Sequence, residues 1–259
     1  FKCNNCKVWV LEEKFCKKNE FYKGVNYRYL LNQKHSLNEY HNNNDYYQNF
    51  IFDILPIYEF RNKIVLDFGC GGGSFLDFVN GVAKKCIGIE KSGIFKKKLQ
   101  MKNYETFSSL EEALNKYKKK IDIIICSAVV EHLEKPLYDL RKVKNLLNKK
   151  GTFIISTPNR DDVLMKENIK NFKSFYFRNV HRWYFDYKSL NNLLLLAGFK
   201  NNIKYFIHRY SIFNYLNWKK LYVPKGNIKK NNKSKKNKEW KKYLESKKQS
   251  DYIFFKSSK

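Results

Sequence analysis

The stretch KIVLDFGCGGGSFLDF, residues 63–78, places glycine at 69, 71, 72 and 73 between an apolar run that ends in Asp67 and a helical pattern that resumes at Phe75, Leu76, Phe78 and Val79. Strand, tight turn and helix follow one another without a spacer. Glycines so placed let something come close to bare backbone. In an open parallel sheet the loop after the first strand lies at the carboxyl ends, where ligands bind.

Outward from this loop, apolar strand-like runs alternate with helical patterns. Strands are expected at 64–68, 86–90, 104–107, 121–126 and 152–157, with helices at 74–84, 92–102, 110–118 and 136–148 between them. The alternation defines an α/β protein, a Rossmann-like doubly wound sheet that is mostly parallel. Ser109 and Glu112 read as a capping box, and Pro136 as a first helical residue. After a long irregular segment, 158–185, come a helix at 187–197, a strand at 203–209 and a last strand in DYIFFKSS. No long crossover helix joins these two strands, so the C-terminal strand is expected to be antiparallel and the two together to form an antiparallel edge. Residues 1–44 differ in kind, being rich in Asn, Tyr and Lys; 45–259 read as the domain proper, with a basic insertion at 225–248.

The glycine pattern discriminates between ligands. A dinucleotide site wants G-x-G-x-x-G/A, and here Ser74 stands in the third place; the phosphate-loop signature is missing as well. Asp67 would repel a pyrophosphate but suits an ammonium group. Glu90 ends the second strand, in CIGIEK, where a carboxylate accepts hydrogen bonds from both hydroxyls of a ribose. Together they describe an adenosine that carries an ammonium rather than a diphosphate.

VLDFGCGGG, GIE, DIIICSAVVEHLEKP, GTFIISTPN and HRWYFDYKSLNNLLLLAGF, in this order and spacing, resemble class I S-adenosylmethionine-dependent methyltransferases of the small-molecule branch. The resemblance covers residues 45–210 and, more faintly, SDYIFFKSSK; IHRYSIFNYLNW is also similar to members associated with sugar and polysaccharide modification. It implies that Asp67, Gly69 and Gly71 hold the methionine moiety, that Glu90 holds the ribose, and that Ser127 and Ala128 border the methyl group. For the adenine amine the sequence offers Ser109 or Glu111.

Methyl transfer to a hydroxyl needs positioning and gains from a base. SAVVEHLEKP leaves the fourth strand toward the same crevice, which makes Glu131 and His132 the nearest titratable pair. His132 is the expected general base, and His181, in the irregular segment, the second choice. The plain alternatives are a Glu131 that braces its loop and histidines that only pack. Residues 127–130 read SAVV rather than N-P-P-Y, so nothing there stacks on an amino-bearing base, which disfavours adenine or cytosine amines of nucleic acid as acceptors. Ser127, Tyr138 and Lys142 imitate a reductase triad, but Ser127 follows the wrong strand.

Cys3 and Cys6 have zinc-knuckle spacing, with Cys16, His35 and His41 as further candidate ligands. FKCNNCKVWV also resembles the second half of a small zinc-binding module that precedes related methyltransferases; the first residue is Phe, so the chain is expected to be a fragment. The other cysteines, Cys70, Cys86 and Cys126, fall in or beside core strands, which excludes a disulfide ladder and fits a reducing compartment. No run approaches the roughly 18 apolar residues of a membrane span, and a cytoplasmic protein is expected. The net charge of +28 accompanies a composition rich in Asn, Ile, Phe and Tyr, and only 225–248 concentrate it. That block is expected to be a mobile insertion; it also keeps open a nucleic-acid-binding protein built on a methyltransferase-like core.

Overall fold

The computed structural model describes residues 1–4, 6–17, 21, 37–167, 169, 171–222, 224 and 234–259. Among the described residues, nine strands form two sheets. The main one is built from β2 (Ile64–Phe68), β3 (Lys85–Ile89), β4 (Glu105–Phe107), β5 (Ile121–Ser127), β6 (Leu147–Pro158), β8 (Lys200–Ile207) and β9 (Tyr252–Ser258), in the order β4-β3-β2-β5-β6-β9-β8. The pairings from β4 through to β6 are parallel, and β9 is antiparallel to both of its neighbours. The two final strands form the antiparallel edge that the sequence led us to expect, β9 lying between β6 and β8 with β8 outermost.

The parallel strands read as near-continuous apolar runs because both of their faces are covered. Leu66, Ile124, Cys126 and Phe153 point into one core with residues of α4 (Leu110–Tyr117), α5 (Pro136–Leu146) and α8 (Tyr187–Ala197). Val65, Ile123, Ile125 and Ile154 point into the other, against α1 (Leu37–Ile54), α2 (Ser74–Val79) and α3 (Gly93–Met101). Each fully buried Leu, Ile or Phe contributes about 1.5–3 kcal/mol. Polar residues set the helix ends. Ser109 Oγ accepts the Glu112 N–H at 3.2 Å, although Glu112 reaches back to the Ser108 N–H rather than to Ser109. Asp186 and Ser189 close a full capping box at the start of α8.

Helix α1 lay hidden in the polar N-terminal stretch; its Ile51 and Ile54 bury against the second core. The segment 158–185 carries α6 (Val163–Lys166), α7 (Phe172–Tyr176) and β7 (Trp183–Tyr184), and β7 pairs antiparallel with β1 (Trp9–Val10) to make the small sheet. Described residues before α1 pack on the domain: Val8 is buried in the first core, Arg160 donates to the Lys7 carbonyl, and Arg182 pairs with Glu13. The basic block needs a correction. Residues 225–233 lie outside the described residues, but Lys235–Ser246 form α10, which sits with α9 (Ile212–Leu221) beside β8. Leu244 of α10 is buried in a third apolar cluster with Trp218, Phe172 and Tyr176, so this half of the block is packed structure. No helix among the described residues is long and apolar enough to cross a membrane.

Candidate active site

The chain runs from β2 out to β4 on one side and then crosses to β5 on the other, so a topological switch point falls between β2 and β5. A cleft of about 790 Å³ opens there. All nine residues expected to bind cofactor or act on the acceptor line it: Asp67, Gly69, Gly71, Glu90, Ser127, Ala128, Glu131, His132 and His181.

The glycine loop is pinned to β3, the Gly69 and Cys70 N–H groups both donating to the Ile89 carbonyl at 2.9 and 3.2 Å. Gly69 and Gly71 have φ of +81° and +54°, the left-handed region that side chains avoid. A β-carbon at Gly71 would lie 2.5 Å from the hydroxyl oxygen of Tyr40. The close approach that the glycines permit inside the chain is thus made by an α1 tyrosine, whose hydroxyl donates to the Cys70 carbonyl at 3.3 Å. Ser74 Oγ donates to Asp45 of α1 at 2.6 Å, tying that helix over the loop.

Asp67 is buried and accepts no hydrogen bond on its carboxylate among the described residues. Burial, reinforced by the nearby Glu90 carboxylate, pushes it from 3.8 up to about 8. Such a group lacks a cation. Glu90 has a task that the sequence did not reveal: its oxygens accept the Gly71 N–H at 2.8 Å and the Ser92 N–H at 2.7 Å, so it braces the glycine loop. Ala128 holds a φ of +54°, where a non-glycine residue costs roughly 1–2 kcal/mol, and its N–H donates to the Ser156 carbonyl at 3.0 Å. Neither candidate adenine partner lines the cleft: Ser109 caps α4 and Glu111 pairs with Lys142. That pairing, with Tyr138 57% exposed on α5, also separates the reductase-like residues from the site.

Opposite the loop stands Glu131, 1% exposed. Its Oε2 accepts from Thr157 Oγ1 at 3.0 Å, its Oε1 has no partner among the described residues, and burial pushes it up to about 7. His132 donates its Nδ1–H to the Val180 carbonyl at 2.7 Å, and burial lowers it to about 4, so the ring is neutral with its lone pair on Nε2. The His181 ring packs edge-on against it, centroids 4.8 Å apart, and burial lowers His181 well below its ordinary range. This meeting is made through the carbonyls of the turn. Arg182 N–H donates to the Glu131 carbonyl at 2.8 Å and Trp183 Nε1 to the Leu133 carbonyl at 2.7 Å, which stitches 180–183 onto the turn 130–133.

Further along the cleft lie residues the sequence did not single out. Arg209 bridges Asp251, its Nε donating at 2.6 Å, and stacks 3.7 Å from the centre of the Tyr252 ring; Tyr47 and Tyr210 complete an aromatic surround. Asp162, buried beside Asp251, is pushed up to about 8, by burial first. At the other end of the chain Cys3 and Cys6 are partly buried and unbridged, and no group of three metal-ligating side chains among the described residues includes a cysteine. His41 faces Asp45 at 3.3 Å, and His35 lies outside the described residues.

A glycine loop with a cation-seeking carboxylate, a second carboxylate after the next strand and a sheet in this strand order define a class I S-adenosylmethionine-dependent methyltransferase. The residues present fit that cofactor, since Asp67 offers a buried carboxyl, raised to about 8, that a neighbouring ammonium would ionise. When bound, it supplies an electrophilic methyl group on a sulfonium. The chain belongs to the methyltransferase domain family, whose profile matches residues 40–203. It is 28% identical over 169 residues to the tRNA U34 carboxymethyltransferase of Nautilia profundicola, covering 61% of this chain and 54% of the relative. It is 31% identical over 109 residues to the ubiquinone biosynthesis O-methyltransferase of Glaesserella parasuis, covering 38% of this chain and 46% of the relative. The chain thus spans about half the length of the curated relatives it matches. Among solved structures, the S-adenosylmethionine-dependent methyltransferase of Archaeoglobus fulgidus superposes with a TM-score of 0.58 at 18% identity, covering 83% of this chain and 94% of that one.

Proposed function

We propose that the protein transfers the methyl group to a hydroxyl of a small molecule such as a sugar or polysaccharide precursor. The observation that carries this reading is the corner of Glu131, His132 and His181 on the wall of the cleft, close beyond Ser127 and Ala128. Asp67, Gly69 and Gly71 hold the methionine portion of the cofactor, Glu90 its ribose, and Ser127 and Ala128 border its methyl group. The transfer is an in-line displacement, so most of the acceleration comes from positioning; an acceptor hydroxyl must also lose its proton. His132, with the lone pair on Nε2, takes that proton, and His181 and Glu131 position the acceptor oxygen. The aromatic surround of Arg209, with the carboxyls of Asp162 and Asp251, offers the stacking faces and paired hydrogen-bond groups that suit a polyhydroxylated ring.

The test is incubation of the protein with methyl-labelled S-adenosylmethionine and a pool of cell metabolites that includes free and nucleotide-linked sugars. A labelled methyl ether is expected; label found only on nitrogen or carbon atoms overturns the reading. A second reading, a tRNA acceptor, is favoured by the names of several relatives and by the net charge of +28. It requires label in the RNA fraction and binding that falls steeply with salt.

A further inference from the structure

The ligating atoms of Glu131, His132 and His181 all lie within 4.8 Å of one another, so one ion among them could bond a carboxylate oxygen and a nitrogen of each ring. It is the only such group among the described residues. Three observations bear on what it does. Glu131 Oε1 is buried with no hydrogen-bond partner among the described residues, a costly condition unless something satisfies it. His132 gives its Nδ1–H to the Val180 carbonyl, the outer hydrogen bond that in metal-binding histidines fixes the ring and directs the other nitrogen to the ion. All three side chains line the cleft, so an ion held by them faces whatever the cleft admits.

We propose that Glu131, His132 and His181 hold one divalent first-row transition-metal cation, which binds and polarises the acceptor hydroxyl. Two imidazoles and a single carboxylate are donors that such ions take more readily than Mg²⁺ or Ca²⁺. Three protein ligands leave coordination positions open, as catalytic rather than structural sites do. A hydroxyl bound there loses its proton near neutral pH. The proton passes to water, and the acceptor oxygen forms its bond to the methyl carbon as the sulfonium–carbon bond breaks, the electron pair remaining on sulfur. His132 is then a ligand, and the cation rather than the imidazole ionises the hydroxyl. The catalytic consequence rests on the hydroxyl-acceptor reading above; the cation site does not.

The full chain, stripped with a chelator and dialysed, is titrated with Co²⁺ and followed by visible absorption. One saturating set of d–d bands per chain is expected, without the intense near-ultraviolet charge transfer of thiolate ligation. His181→Ala and Glu131→Gln should each weaken Co²⁺ binding at least about tenfold. S-adenosylhomocysteine affinity should stay within twofold, and melting curves verify folding. Should Glu131→Gln not fold, His181→Asn takes its place. Absence of saturable binding, or affinity that neither substitution changes, overturns the site; bands from thiolate ligation put the cation on the cysteines and overturn it equally. If Co²⁺ binds as expected but the chelated protein methylates its hydroxyl acceptor at full rate, the activating role falls. If the loaded protein methylates no hydroxyl compound, the acceptor reading fails while the cation site stands.

Discussion

Cofactor binding should draw a proton from Asp67. With its carboxyl at about 8, the free protein carries Asp67 mainly protonated at neutral pH, because the group is buried and stands near Glu90. A ligand ammonium beside it requires the carboxylate, so the complex bears the cost of ionisation. At pH 6 that cost is about 2.7 kcal/mol, from two pH units at about 1.36 kcal/mol each. At pH 8 about 0.4 kcal/mol remains, so affinity for S-adenosylhomocysteine should rise about 50-fold between pH 6 and pH 8. Titration calorimetry at pH 7 in buffers of differing ionisation heat should register release of about 0.9 proton per ligand. Asp67→Asn should bind weakly at every pH and release none. The same shift affects stability with the opposite sense for the free protein. A folded-state value raised from 3.8 to about 8 gives stability that is complete below about pH 4 and lost as pH rises through 8. Asp67→Asn should therefore melt higher than the parent protein at pH 8 while binding ligand less well. Flat affinity from pH 6 to 8 with no proton released, or an unimpaired Asp67→Asn, would refute the reasoning.

Glu90→Gln keeps one acceptor oxygen for two backbone N–H groups, so calorimetry should show S-adenosylhomocysteine binding weakened by about 1–3 kcal/mol and a lower melting temperature. His132→Gln should reduce methyl transfer by about 10²- to 10⁴-fold with ligand affinity nearly unchanged; lost stability with intact turnover per folded molecule would leave His132 a packing residue. Leu244→Ala should cost about 2–5 kcal/mol in denaturant unfolding, because the side chain is 1% exposed in the third cluster. A negligible change there would make α10 a surface appendage.

The part of the cleft proposed to hold the cofactor was legible because it is local. Asp67, the glycines and Glu90 sit at the ends of buried parallel strands, and such strands announce themselves as apolar runs wherever they occur. Their helices follow in sequence, so the strand order needs only the right-handed crossover to be drawn. Even here two contacts escaped. Tyr40 lies on the glycine loop from a helix whose polar residues mask its Ile51 and Ile54, and the hydrogen bonds of Glu90 to Gly71 and Ser92 have no composition to betray them.

The part proposed to face the acceptor is of another kind, because the contacts that bring it together join segments far apart in sequence. His181 reaches His132 only after Trp183 and Tyr184 have paired with Val10 and Trp9, and after the Glu131 and Leu133 carbonyls have taken N–H groups from 182 and 183. Arg209 follows β8 and Asp251 precedes β9, so their ion pair exists only because those strands are adjacent. Irregular segments satisfy their backbone groups through such long-range bonds, and periodicity carries no trace of them. It follows that the sequence between 158 and 185 and around 209–251 is where relatives sharing this cofactor site are free to differ in acceptor. Exchange of that material, with residues 63–90 left intact, should change what is methylated before it changes what donates the methyl group.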